Sequence, residues 1–204
     1  LAINHLVQLG LPPTARRFTL RRPFQFAQTK GGTLRNWITA AAAATLLTAV
    51  FAGTASASHS WNNYHWARTA NPFTVRVIDA NTPTWDTHLN AAIADWDAST
   101  VLNVVREPGS EEKRCRPVAG KVKSCNGDYG QNGWLGLASI NITGGVHITQ
   151  GTSKMNDSYF SSPSHNETAR SHVVCQEIGH TFGLAHQSES GADLNTCMDY
   201  SNDL

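Results

Sequence analysis

The chain has 204 residues and a formal charge of +1, but six of its sixteen basic residues and none of its fifteen acidic ones fall in residues 1–57. Residues 58–204 therefore carry about −5, with no clustered Lys and Arg of the kind a nucleic-acid surface needs. The length suffices for one domain with a real core once a targeting segment is set aside.

Such a segment is legible at the start. Lys30 and Arg35 precede an apolar run over 37–52, and small residues then lead to Ala55-Ser56-Ala57, an A-x-A cleavage signal. Residues 1–57 read as a secretory signal peptide behind an N-terminal extension (1–34), cut after Ala57, so that residues 58–204 are secreted. The run is 16 residues long with three threonines. That is short for a span of about 20, and no stable membrane anchor is expected. In an oxidising compartment the four cysteines, Cys115, Cys125, Cys175 and Cys197, imply two disulfides, with three pairings open. No C-x-x-C spacing supports a four-cysteine zinc knot.

The region 58–72 is an aromatic, polar lead-in with Trp61, Tyr64 and Trp66. Residues 73–79 alternate apolar and polar side chains and are β-branched, which predicts a strand. Trp85, Leu89, Ala92, Ile93 and Trp96 recur at helical spacing, so an amphipathic helix is expected over 85–98. Residues 101–106 read as a second strand. The polar stretch 107–128 reads as a hairpin or long surface loop holding Cys115 and Cys125. Further strands are expected over 134–142 and 146–149, separated by Gly144-Gly145, and a loop over 151–164. Ser164-His-Asn-Glu167 fits a capping box that opens a helix running to about Phe182. The order is that of an α/β (α+β) sandwich: a mixed twisted sheet, one helix packed on it, and a second helix near the C-terminus.

That second helix carries the chemistry, in the run Cys175-Gln-Glu-Ile-Gly-His-Thr-Phe-Gly-Leu-Ala-His186. Gln176 and His180 lie at i and i+4 on one helix face, with Glu177 beside them. Gly183 lets the chain leave the helix sharply in a left-handed conformation, and the turn brings His186 back toward His180. Three side chains then converge with room for a water, the layout of a catalytic rather than a structural zinc site. Zinc lowers the pKa of its water toward about 7, and a nearby carboxylate can take the proton. His172 shares the face but lies eight residues from His180, about 12 Å along the axis, too far to join one ion. His147 and His165 read as surface or loop histidines.

With Met198 twelve residues after His186, this run resembles the metzincin clan of zinc endopeptidases, whose pattern is H-E-x-x-H-x-x-G-x-x-H followed by a Met-turn. It is similar to a subgroup of secreted proteins with Q-E-x-x-H in place of H-E-x-x-H. The resemblance covers roughly 73–204, and its specificity lies in 176–200. It implies that Gln176, His180 and His186 are zinc ligands, Glu177 the general base, Met198 the residue beneath the metal, and Tyr200 an oxyanion-stabilising group. It also sets Cys175, just before Gln176, beside Cys197, just before Met198. The implied disulfides are therefore Cys175–Cys197 and Cys115–Cys125. Residues 134–138 take the place of an edge strand above the cleft, where an extended peptide can add by main-chain hydrogen bonds; an ordinary core strand reads equally well there.

The sequence departs from the family at Gln176, whose amide oxygen is neutral like imidazole but a poorer donor to zinc. The family also continues into a C-terminal helix, whereas six residues follow Met198. The expectation is a monomeric, secreted zinc endopeptidase acting on peptide or protein substrates, without nucleic acid as a partner. The alternative is a catalytically silent metzincin-like binding protein.

Overall fold

The computed structural model describes the backbone of Ala2–Gln8 and residues 59–162, 165–189 and 194–200. The apolar run and cleavage signal of the expected leader lie outside the described residues. Among the described residues seven strands form one sheet: β1 (Ala2–Gln8), β2 (His65–Trp66), β3 (Phe73–Ala80), β4 (Leu102–Pro108), β5 (Val122–Gly127), β6 (Trp134–Thr143) and β7 (His147–Asn156). Their order is β1-β6-β7-β5-β3-β4, with β2 alongside the start of β7. The sheet is mixed. β3 pairs in parallel with β4 and β5, and β7 with β5 and β2, while β6 runs antiparallel to both β7 and β1.

Each predicted strand and helix is present, and three differences have physical causes. The stretch 107–128 is not all loop, because β5 runs through the middle of the sheet between β3 and β7. Its Val-Lys-Ser-Cys-Asn sequence looks solvent-facing, yet all five residues are buried. The polar ones are matched inside: Lys123 Nζ meets Glu112 Oε2 at 2.6 Å, Asn81 Nδ2 donates to Ser124 Oγ at 3.1 Å, and Asn126 Nδ2 donates to Asp157 Oδ2 and to Thr82 Oγ1. Likewise β7 extends through Asn156, where a loop is expected from 151, because Thr152, Ser153 and Asn156 are buried and bonded to neighbouring backbone. Thirdly, β6 is flanked on both sides. Of the two readings of 134–138, edge or core strand, the second holds: it is paired with Ala2–Gln8, Val7 lying opposite Gly136 and His5 opposite Ala138.

The helices are α1 (Asp86–Asp97), preceded by a 3-10 turn at Pro83–Trp85, the single turn α2 (Asp157–Phe160), and α3 (Glu167–Thr181). Asn166, not Ser164, caps α3, its side chain accepting from the backbone N–H of Ala169 at 3.1 Å. α1 buries Leu89, Ala92 and Ile93, and α3 buries Val173, Val174 and Ile178, in a core completed by Trp85, Val75, Val77, Val104 and Val122. The indole of Trp96 on α1 donates to the carbonyl of Cys175 at 3.0 Å, tying the two helices together beside the candidate ligands. Cys115 is bonded to Cys125, and Cys175 to Cys197, as the resemblance implies. Among the described residues no helix is long and apolar enough to cross a membrane.

Candidate metal centre

The centre is built on the last two turns of α3. From Val173 through Phe182 every residue is buried, including the polar Gln176, Glu177 and His180. An amphipathic helix would turn one face to solvent; this segment is enclosed by β6 and β7 on one side and α1 on the other. The helix stops where the sequence predicts. Phe182 is the C-cap, Gly183 follows at φ +93°, and the N–H groups of Gly183 and Leu184 donate to the carbonyls of His180 and Gly179. That is a Schellman motif. A side chain at 183 would strike the Tyr64 carbonyl, 1.9 Å from an added Cβ, so the lead-in segment as well as the turn requires glycine here.

The turn returns His186 to His180, and their Nε2 atoms are 3.2 Å apart. His180 Nδ1 donates to the Leu184 carbonyl at 2.7 Å, which orients the ring and leaves Nε2 toward His186. His186 Nδ1 lies 3.8 Å from Glu189 Oε1. Gln176 is one helical turn before His180. Its Nε2 donates to the Asp199 carbonyl at 2.8 Å, which fixes the amide orientation, while its buried Oε1 accepts no hydrogen bond. A buried, unsatisfied amide oxygen costs about 1–3 kcal/mol unless something else engages it.

These atoms fit a zinc ion. Two imidazole nitrogens bound at about 2.0–2.1 Å with tetrahedral angles lie about 3.4 Å apart, close to the 3.2 Å between His180 and His186. The neutral amide oxygen of Gln176 is a chemically acceptable third donor. Among the described residues no three His, Cys, Asp or Glu side chains are arranged to hold a metal; Gln176, an amide, is of none of these types.

Glu177 is fully buried, and neither carboxylate oxygen closes a hydrogen bond. Burial drives its pKa well above the ordinary carboxylate value; the backbone N–H of Ala138 lowers it only in part, pointing toward the carboxyl without meeting the geometry of a closed hydrogen bond. Gly136 on β6 makes room for it: an added Cβ there would lie 2.4 Å from Glu177 Oε1. The turn that carries Met198 packs against the same helix. Gly179 lacks a side chain where Met198 Sδ approaches, 2.4 Å from the position a Cβ would take, and Met198 is buried. Cys175–Cys197 fastens the same two segments. The N–H of Gln187 donates to the Met198 carbonyl at 2.6 Å and that of Tyr200 to the Ser188 carbonyl at 2.9 Å, so the His186 loop and the turn hold each other. This sets the Tyr200 ring 5.1 Å from that of His186.

The structure brings His180 and His186 together and sets Tyr200 beside His186; Gln176 and Glu177 are buried on the same helix, and Met198 packs against Gly179. His147 and His165 lie elsewhere: His147 faces His65, and His165 lies against Tyr159 and Phe160. Sequence reasoning missed Gly136, Gly179, Trp96, Leu184 and the Asp199 carbonyl. Four of these act through backbone or through the absence of a side chain, which leaves no chemical signature; a Gly inside the apolar run of β6 was the one available hint of a close approach. No known protein family, curated protein or solved structure matches this chain.

Proposed function

We propose that the chain is a secreted zinc endopeptidase in which His180, His186 and Gln176 hold the metal and Glu177 is the general base. The observation that carries this is the unsatisfied Gln176 Oε1, locked in orientation by Asp199, one turn before His180 on α3, whose Nε2 lies at ligand-to-ligand separation from that of His186 beyond the helix end. When bound, zinc supplies Lewis acidity and lowers the pKa of a coordinated water. With the metal held, Glu177 would accept a proton from the attacking water and pass it to the leaving amine. Tyr200, beside His186, donates to the developing oxyanion. The substrate lies extended along β6, whose Gly136 separates it from Glu177 by backbone alone; the leader that carries β1 is removed on export. Two disulfides agree with an oxidising destination.

The test is cleavage of a peptide library by the secreted protein, with Glu177→Gln as control. Loss of the base lowers turnover about 10²–10⁴-fold and leaves zinc in place. If the unaltered protein binds zinc and cleaves nothing, the silent binding-protein reading stands instead.

A further inference from the structure

A second pair of histidines meets outside the centre described above. His65 on β2 is paired directly with His147 on β7, and their rings stand edge-to-face with centroids 5.0 Å apart at 85°. His180 and His186 have nearly the same relation, 4.8 Å and 71°. His65 Nδ1 donates to the carbonyl of Asn63 at 2.7 Å, so Nε2 carries the lone pair of the neutral ring. An imidazole oriented through one nitrogen by a backbone carbonyl is the usual support of a metal ligand. The turn that presents this carbonyl holds Asn62 and Asn63 at φ +46° and +61°, a conformation asparagine tolerates better than most residues.

Both rings line an open cleft of about 840 Å³ that also contains Arg68, Thr69, Phe73 and Thr74. Among the described residues no carboxylate lines it, so it lacks the anionic oxygens that hard cations favour. Arg68 is held over the Phe73 ring at 5.5 Å. We infer that His65 and His147 chelate a borderline transition-metal ion, Cu²⁺ in preference to Ni²⁺ or Zn²⁺, with water completing its coordination. The ion ties β2 to β7. β2 belongs to the segment that grips the end of α3, through Trp61 N–H to the Gly183 carbonyl and Trp66 Nε1 to the Thr181 carbonyl. Metal at this second site thus stiffens the support of the turn between His180 and His186, without being part of that centre.

The experiment is titration of Cu²⁺ into the full chain, following assigned histidine ring signals by NMR and heat by calorimetry. His65→Gln and His147→Gln are titrated alongside. The expected result is joint broadening of the His65 and His147 ring signals, and loss of at least about tenfold in affinity for this ion in either variant, as a two-point attachment becomes one. Broadening at His180 and His186 persists in both variants. If the His147 ring broadens at the same Cu²⁺ concentration in His65→Gln as in the unaltered chain, or if neither ring responds to Cu²⁺ at all, the inference is wrong. Neither outcome depends on whether the protein cleaves peptides.

Discussion

Replacing Gly136 with alanine asks whether Glu177 lies directly beneath β6. An added Cβ would sit 2.4 Å from Glu177 Oε1, 2.5 Å from its Cγ and 2.7 Å from its Cδ. Ordinary contacts of this kind begin near about 3.5 Å, so methyl and carboxyl must separate by about 1 Å. Glu177 is fully buried and cannot swing into solvent, so α3 and β6 must part or the carboxyl must twist within the core. Overpacking of this order costs about 1–3 kcal/mol, equivalent to a fall of about 2–12 °C in Tm for a chain of this size. Misplacing a catalytic group by about 1 Å costs about 100-fold in rate. The assay pairs thermal unfolding with peptide hydrolysis and zinc content of Gly136→Ala: a modest fall in Tm, a loss of at least about 100-fold in kcat, and zinc retained. Full activity with an unchanged Tm would refute the placement of Glu177 under Gly136.

Three further outcomes follow from other parts of the molecule. Cys175–Cys197 spans 22 residues of sequence, and on the chain-entropy model removing it costs about 3.4 kcal/mol, or about 7–14 °C in Tm; a double Cys→Ser variant that melts within about 2 °C of the parent would contradict this. For Asp79, burial raises the carboxyl pKa, but hydrogen bonds from Arg106 and Asn81 outweigh it and leave the group lowered. A depressed carboxylate lends stability above its unfolded pKa of about 4 and loses it as pH falls through the folded value. Urea midpoints should therefore drop more steeply below about pH 4 in the parent than in Asp79→Asn, and equal acid slopes would be the contrary result. Removing residues 1–57 strips β1 from β6, so the β6 amides that face β1 should exchange with deuterium faster in the chain beginning at Ser58 than in the full chain; equal protection would show that Ala2–Gln8 does not cover that strand.

The parts of the fold that the sequence makes legible are those where burial follows periodicity. β3 alternates inward Val75 and Val77 with exposed Thr74 and Arg76, and α1 carries its apolar stripe at helical spacing. β5 and the second half of β7 escape that logic, because their buried Lys123, Ser124, Asn126, Thr152, Ser153 and Asn156 are partnered across the sheet by residues remote in sequence. β1 is hidden for another reason: its partner on β6 is more than a hundred residues away, and nothing local marks the pairing. The site is more legible than the fold around it. Gln176, Glu177, His180, Gly183 and His186 lie on one helix and its turn, so their spacing alone brings them together. What spacing cannot supply is the direction of the Gln176 amide, which depends on the Asp199 carbonyl 23 residues further on.

Zinc content of the purified, secreted protein tests the central claim most directly. Elemental analysis after dialysis against micromolar zinc should find one zinc per chain held at the described centre. It should be lost in His180→Ala and His186→Ala, and weakened by at least about tenfold in Gln176→Leu. Gln176→His, which substitutes a better donor, should hold it more tightly. A protein that takes up no zinc even from excess metal, or whose zinc is indifferent to Gln176→Leu and His180→Ala alike, would contradict the account.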